Sequence, residues 1–357
     1  MSRFFSRKYE GLTPYTPGEQ PASGQTYVKL NTNENPFPPS EKAMEYLRGN
    51  TRSLQLYSDP AAVELTAKIA ETCGVNPDEV LVTNGSDEIL NFAFMAFCDR
   101  DHPAVFPNIT YGFYPVFAEL NGVPYEEIPL QEDFSVCVED YLGVGRTVFL
   151  ANPNAPTGLC LPVSEIERIA ASNPDSVVVI DEAYIDFGGE SCVPLIRKYR
   201  NLLVTQTFSK SRSMAGARLG FGIGCPDLIR DLNTIKYSTN PYNINSLSMA
   251  AGIGMLEDAE YTRRCCEIIK ENRAYLTAEL KKRGFSMPES KANFVFARTD
   301  RMDGSELYTR LKEKHILVRH FSRPEISDYN RITVGTGEQI DALLRAIDEI
   351  LKDREGS

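Results

Sequence analysis

Lys210 stands among hydroxyls in Thr207-Phe208-Ser209-Lys210, and Arg218 follows eight residues on in Arg218-Leu219-Gly220. A lysine amine withdrawn from water can condense with an aldehyde, while Thr207, Ser209 and Arg218 can hold a phosphate. A cofactor that carries both groups is pyridoxal 5′-phosphate. Its site also needs an acid for the ring nitrogen, a donor to the ring hydroxyl, a cradle for the phosphate and an aromatic face.

Candidates for these parts lie upstream. Val177-Val178-Val179-Ile180-Asp181-Glu182-Ala183-Tyr184 is an apolar strand that ends in a carboxylate, with a phenol three residues later. Asp181 can pair with a protonated pyridine nitrogen and Tyr184 can donate to the ring oxygen; the same acid can also simply cap a following helix. Asn84-Gly85-Ser86-Asp87-Glu88 closes a strand pattern and opens a helical one. Free N–H groups at Ser86 and Asp87 form an anion site there, or the acids merely complement the helix dipole. Asn152-Pro153-Asn154-Ala155-Pro156-Thr157-Gly158 is a rigid turn whose amides can reach the ring hydroxyl, or turn chemistry alone. Tyr111 can stack on the ring or serve as packing. Arg319 and Arg331 can together bind a carboxylate or phosphate of the substrate, or separately form surface ion pairs.

The elements that must hold these groups follow from periodicity. Strand-length apolar runs at 79–82, 104–106, 147–151, 177–180, 202–207 and 219–223 alternate with helical patterns at 63–73, 86–98, 114–120 and 164–171. Such alternation predicts an α/β fold, a mostly parallel sheet with helices on both faces and ligands at the carboxyl ends of its strands. From residue 246 the texture changes. An apolar helix at 246–256 and a long amphipathic segment at 261–283 lead into strands and helices that close with a helix at 337–352. We expect residues 1–40 to lie over the site, 41–245 to form a large domain, and 246–357 to form a connecting helix and a small α+β domain.

At 357 residues, the chain exceeds the size at which a single core stops growing. With 42% hydrophobic and 24% charged residues it reads as a soluble globular protein, and a net charge of -11 argues against a nucleic-acid surface. Eight scattered cysteines without a Cys-x-x-Cys pair read as reduced thiols, and three histidines make a histidine-rich metal centre improbable. The polar start lacks a secretory core and no run is long enough to span a bilayer, so a cytoplasmic protein is expected.

Taken in order, Leu12-Thr13-Pro14-Tyr15, Leu30-Asn31-Thr32-Asn33-Glu34-Asn35-Pro36, Asp181-Glu182-Ala183-Tyr184, the Lys210 segment and Arg331-Ile332-Thr333-Val334-Gly335-Thr336 span nearly the whole chain. The set resembles the fold-type I pyridoxal phosphate aminotransferases and, more narrowly, the histidinol-phosphate aminotransferase family. The resemblance implies that Lys210 bonds the cofactor and moves the substrate proton between Cα and the cofactor's C4′ carbon. Asp181 would serve the ring nitrogen, Tyr184 the ring oxygen and Tyr111 the ring face, with Ser86, Asp87, Thr207, Ser209 and Arg218 around the phosphate. Tyr57, in Leu56-Tyr57-Ser58-Asp59-Pro60, matches a tyrosine that reaches the neighbouring subunit's phosphate, which implies a homodimer with shared sites. Tyr15, Arg319 and Arg331 would face the substrate.

The implied reaction moves an amino group between L-histidinol phosphate and 2-oxoglutarate. In histidine biosynthesis it runs from glutamate to imidazole acetol phosphate. Where relatives carry asparagine before Pro-Thr-Gly this chain has Ala155, so either Asn154 supplies the amide or Tyr184 serves the ring oxygen alone. The same resemblance admits an aromatic amino acid aminotransferase or a threonine-phosphate decarboxylase. A cofactor-binding regulator without catalysis would need a partner-binding module, and none is visible.

Overall fold

The structure is a computed structural model that describes residues 2–355 apart from 22, 23 and 25. The N-terminal stretch is largely extended and contributes one short strand, β1 (Val28–Lys29). Helix α1 (Glu41–Asn50) begins where the Ser40 side chain accepts from the Ala43 N–H. Helix α2 (Val63–Cys73) ends at Gly74, whose positive φ and N–H close the last turn.

The strands that follow are β2 (Val80–Thr83), β3 (Ala104–Pro107), β4 (Tyr125–Ile128), β5 (Thr147–Ala151), β6 (Val178–Asp181), β7 (Leu202–Thr207) and β8 (Gly220–Gly224). They form one seven-stranded sheet in the order β2-β8-β7-β6-β5-β3-β4. Pairing is parallel from β4 to β7, while β8 runs antiparallel to both β7 and β2. Helices α3 (Ser86–Phe97), α4 (Phe113–Asn121), α5 (Val163–Ser172) and α6 (Pro226–Thr239) connect and cover these strands. The expected α/β class is therefore the observed one. Strand β4 escapes sequence reading because it is an exposed edge whose Tyr-Glu-Glu-Ile run carries charge rather than an apolar stretch.

Alternate residues of the sheet feed opposite faces. Val148, Leu150, Val178 and Ile180 meet Leu65, Ile69, Ile166 and Ile169 on one side, while Phe149 and Val179 meet Leu90, Phe94 and Leu232 on the other. Helix α7 (Ser246–Leu256), which sequence texture groups with the second unit, packs into this first core against α1 and α2. Gly254 allows the approach, since a Cβ there would come within 2.8 Å of the Ala43 Cα.

Helix α8 (Ala259–Lys282) then leads to β9 (Phe285–Ser286), β10 (Phe294–Thr299), α9 (Gly304–Glu313), β11 (Ile316–Leu317), β12 (Arg319–His320), β13 (Asn330–Thr333) and α10 (Gly337–Glu355). Strands β12-β13-β10-β9 form a four-stranded sheet, and β1 pairs in parallel with β11. Leu276, Phe294, Leu311, Leu343 and the N-terminal Leu30 share this second core. Residues that precede the large sheet in sequence thus fold onto the unit that follows it. Among the described residues no helix is long and apolar enough to cross a membrane.

Candidate active site

Strands β5 and β6 end level at Ala151 and Asp181 while β7 runs two residues further, and Ala151, Asp181 and Thr207 at their carboxyl ends line a cavity of about 160 Å³. Ser86, Asp87, Tyr111, Tyr184, Ser209, Lys210 and Arg218 complete most of its wall. Nine of the expected residues, from five separate segments of the sequence, are thereby brought to one place.

Lys210 follows β7 and its Nζ donates to the Thr32 carbonyl at 3.2 Å, 5.6 Å from the centre of the Tyr184 ring. The Asn35 side-chain amide holds the carbonyls of Lys210 and Ser211, each at 3.1 Å. The N-terminal segment therefore fixes the lysine from across the cavity.

Asp181 is 5% exposed. Its carboxylate accepts from the Ala183 N–H at 3.1 Å and from the Tyr114 hydroxyl at 3.4 Å, and among the described residues no cation pairs with it. Burial pushes the carboxyl up to about 7, against the lowering effect of the Ala183 N–H. A buried strand-end acid without a cation suits a cationic ring nitrogen. The neighbouring Glu182 is buried too, but it accepts from Ser191, the Cys192 N–H and Gln206, which leaves it a structural group.

The start of α3 offers the cavity a set of anion-binding groups. Gly85 precedes Ser86 at φ 82°, and no side chain caps the helix, so its first N–H groups face the cavity end. A Cβ at Gly85 would come within 2.7 Å of the Arg218 guanidinium, so the arginine is seated against bare backbone. Arg218 donates to Asp87 at 3.0 Å and to Ser209 Oγ at 3.4 Å, and the Tyr111 hydroxyl donates to the other Asp87 oxygen at 2.6 Å. Asp87 aims both Arg218 and Tyr111. The Ser209 N–H donates to Thr207 Oγ1 at 3.1 Å, which fixes the turn between the two hydroxyls.

A second cleft shares Tyr111 and Ala155 with the first and is lined by Tyr15, Arg319 and Arg331 as well as Glu127 and Arg323. Arg331 donates to the Asn31 carbonyl at 3.2 Å and lies over the rings of Phe294 and Phe321, while its buried Nε has no partner among the described residues. Burial pushes its pKa down from the ordinary guanidinium value. Arg319 donates to the Thr16 and Pro17 carbonyls at 2.9 and 3.0 Å, which ties the N-terminal segment over the cleft, and Tyr15 stacks on Phe113 with ring centres 4.2 Å apart. Neither arginine pairs with a carboxylate among the described residues. Two cations so placed fit an anionic ligand, whereas an ordinary surface ion pair would have met its acid.

The profile of the family Aminotransferase class I and II matches residues 25–347. This chain belongs to the class I and II aminotransferases. The aminotransferase is 49% identical over 357 residues to a histidinol-phosphate aminotransferase from Aromatoleum aromaticum, covering 99% of this chain and all of that one. It is 46% identical over 348 residues to the histidinol-phosphate aminotransferase of Pseudomonas putida strain KT2440, covering 97% of this chain and all of the other. The crystal structure of histidinol-phosphate aminotransferase from Sinorhizobium meliloti in complex with pyridoxal-5′-phosphate shares the fold, with a TM-score of 0.89 at 23% identity and 99% of each chain covered.

Two expected site residues of the aminotransferase sit elsewhere. Asn154 does not line the cavity: its amide donates to the Ile109 carbonyl at 3.0 Å and to Thr157 Oγ1 at 3.1 Å, and its oxygen accepts from Thr110 at 2.7 Å. The expectation that Asn154 replaces the missing amide is corrected, because its amide donors are engaged by the Ile109 carbonyl and Thr157 hydroxyl and it does not line the cavity. Ala155 is the cavity residue. Tyr57 is 83% exposed and stacks on Tyr242 with ring centres 4.5 Å apart, away from its own chain's cavity.

Sequence reading also missed groups that position the site. Tyr114 was read only as helix, yet its hydroxyl reaches Asp181. Asn33 and Asn35 hold Tyr184 and the Lys210 loop. The available signal was three asparagines within five residues of an otherwise irregular segment.

Proposed function

We propose that this aminotransferase moves an amino group between L-histidinol phosphate and 2-oxoglutarate, with pyridoxal 5′-phosphate in the first cavity and the substrates in the second cleft. The observation that carries the reading is the junction of the two at Tyr111 and Ala155. An amine and a buried acid with no cation beside it lie on one side, and two arginines without carboxylate partners lie on the other, all among the described residues. The names of its full-length relatives support the same substrate.

Bound there, the cofactor supplies an aldehyde that takes up amino groups and a cationic ring that accepts the electron pair left when a substrate loses its α-proton. Lys210 would be the amine that meets the aldehyde and the base that moves the substrate proton. Asp181 holds the proton of the ring nitrogen, and its burial suits it to pair with a cation rather than with water. Tyr184 and Tyr111 line the cavity where they would hold the ring, Tyr184 as a donor to its oxygen and Tyr111 against its face. Ser86, Thr207, Ser209, Arg218 and the first N–H groups of α3 bind the phosphate, with Asp87 aligning Arg218 and Tyr111. Arg319 and Arg331 bind the substrate phosphate in one half-reaction and the distal carboxylate of glutamate in the other, beneath Tyr15. One pocket used in turn by two substrates gives ping-pong kinetics.

The same reading makes the protein a cytoplasmic homodimer. All eight cysteines are free. Tyr57 and its neighbours Leu54 and Leu56 are exposed beside Tyr242, an apolar patch suited to a second copy that would carry Tyr57 to the partner's phosphate.

Absorbance of the purified protein, reconstituted with pyridoxal 5′-phosphate and then mixed with L-histidinol phosphate, tests the reading. A visible band that moves to the amine form and returns with 2-oxoglutarate is expected. A band that responds to aromatic amino acids and ignores histidinol phosphate would transfer the substrate to that alternative, and released carbon dioxide would point to the decarboxylase.

A further inference from the structure

We propose that Asn33 is a positioning residue for Tyr184: its side-chain amide commits the phenol hydrogen to the cofactor's ring oxygen, in a site where Ala155 brings no amide of its own. The inference rests on the cofactor reading above.

Asn33 is 1% exposed and its φ is 56°, in the left-handed region that asparagine tolerates better than most residues. Contacts from the second core hold it there. Its N–H donates to Thr333 Oγ1 at 3.0 Å, the Thr333 hydroxyl donates back to Asn33 Oδ1 at 3.1 Å, and the Asn293 amide donates to the Asn33 carbonyl at 2.9 Å. Because Thr333 Oγ1 already accepts from the Asn33 N–H, its own hydrogen goes to Oδ1, and this turns the amide nitrogen of Asn33 toward Tyr184. Asn33 Nδ2 donates to the Tyr184 hydroxyl oxygen at 3.0 Å.

A phenol oxygen that accepts from an amide keeps its hydrogen for another acceptor. Tyr184 lines the cavity, its ring edge-on to Phe294, and among the described residues its hydroxyl has no acceptor within the protein. The hydrogen therefore points to whatever acceptor enters the cavity. Ala155 lines the same cavity and carries no donor, and Asn154 is engaged with Ile109, Thr110 and Thr157. The burden of donating to a ring oxygen falls on Tyr184, and its aim is set by a residue outside the large sheet.

The lysine-bound cofactor titrates visibly. A donor to its ring oxygen favours the form that has lost the lysine-nitrogen proton, because that form leaves more negative charge on the oxygen. Loss of the donor raises the midpoint. We expect Asn33→Ala and Asn33→Asp, reconstituted with pyridoxal 5′-phosphate, to titrate about one pH unit above wild type, a tenfold change in proton affinity. Asn33→Ala added to Tyr184→Phe should shift the midpoint no further, and Ala155→Asn added to Asn33→Ala should bring it back down. Thr333→Val, which frees the Asn33 amide without removing it, should shift the midpoint upward by less and serves if the Asn33 variants do not fold. Midpoints equal to wild type in the Asn33 or Thr333 variants, or additive shifts with Tyr184→Phe, would overturn the proposal while leaving the cofactor assignment intact. A wild-type protein without any titrating band would sink both.

Discussion

The hydroxyl of Tyr114 meets the carboxylate of Asp181 at 3.4 Å, joining a buried helix residue to a cavity-lining strand end 67 positions away. Besides this contact the carboxylate accepts, among the described residues, from the Ala183 N–H, and burial lifts its pKa from 3.8 to about 7. The folded chain thus holds the proton more tightly than the unfolded chain. The stability this contributes is complete below about pH 4 and is lost as pH rises through about 7.

The first prediction concerns that loss. Between pH 4 and pH 8 the cofactor-free protein should lose up to about 4 kcal/mol from this group, at 1.36 kcal/mol per pKa unit. Asp181→Asn should remove most of that slope, as measured by urea unfolding at pH 5 and pH 8. The same variant should transaminate on the order of 10²-fold more slowly, as when an electrostatic partner of the reacting group is removed. An unchanged slope would remove the acid from its buried, cation-seeking role.

Lys210→Ala should still take up pyridoxal 5′-phosphate, without a covalent link. Transamination should fall by at least about 10²- to 10⁴-fold, the range for loss of a positioned acid-base group. Absorbance and single-turnover mixing with L-histidinol phosphate report the two effects separately. Turnover at the wild-type rate would assign the proton transfer to another group.

Arg319 and Arg331 differ in burial, and their variants should differ accordingly. Arg331→Gln deletes a buried, charge-assisted contact worth about 1.5–3 kcal/mol, so kcat/KM for histidinol phosphate should drop by roughly ten- to more than a hundredfold. Arg319→Gln should cost less, because the more exposed guanidinium also holds the Thr16 and Pro17 carbonyls. Equal kinetics in wild type and Arg331→Gln would move the substrate anion out of this cleft.

Tyr57 can be tested by mixing subunits. If it completes the partner's site, a mixed dimer of Tyr57→Ala and Lys210→Ala subunits contains one wild-type site. Random pairing should then restore about a quarter of the wild-type sites. No recovery beyond the activity of Tyr57→Ala alone would confine each site to a single chain.

Much of the fold was legible because its strands are buried on both faces. Runs such as Val178–Asp181 and Leu202–Thr207 are buried throughout and begin with Val178-Val179-Ile180 and Leu202-Leu203-Val204, while the polar residues that line the cavity come at their ends. Helix α7 was placed in the wrong neighbourhood by texture alone. Its apolar circumference announces burial but not by which core, and the answer came from the glycine that lets α1 approach. Asn154 was read as a cavity residue because amide chemistry cannot say which way a side chain turns inside a rigid loop.

The order and type of residues by themselves determined that Lys210, Asp181, Tyr184 and Arg218 were the groups able to serve an aldehyde, a cationic ring and a phosphate, because those functional groups are carried by residue type and by position at strand ends. Only the tertiary structure decided which groups face the same space. Parallel pairing sets the carboxyl ends of β5, β6 and β7 side by side, and β1 beside β11 brings the asparagines of the N-terminal segment to Tyr184 and Lys210. Hydrogen bonds saturate: once Asn154 is spent on Ile109, Thr110 and Thr157 it has little left for a cofactor, and that accounting exists only in three dimensions.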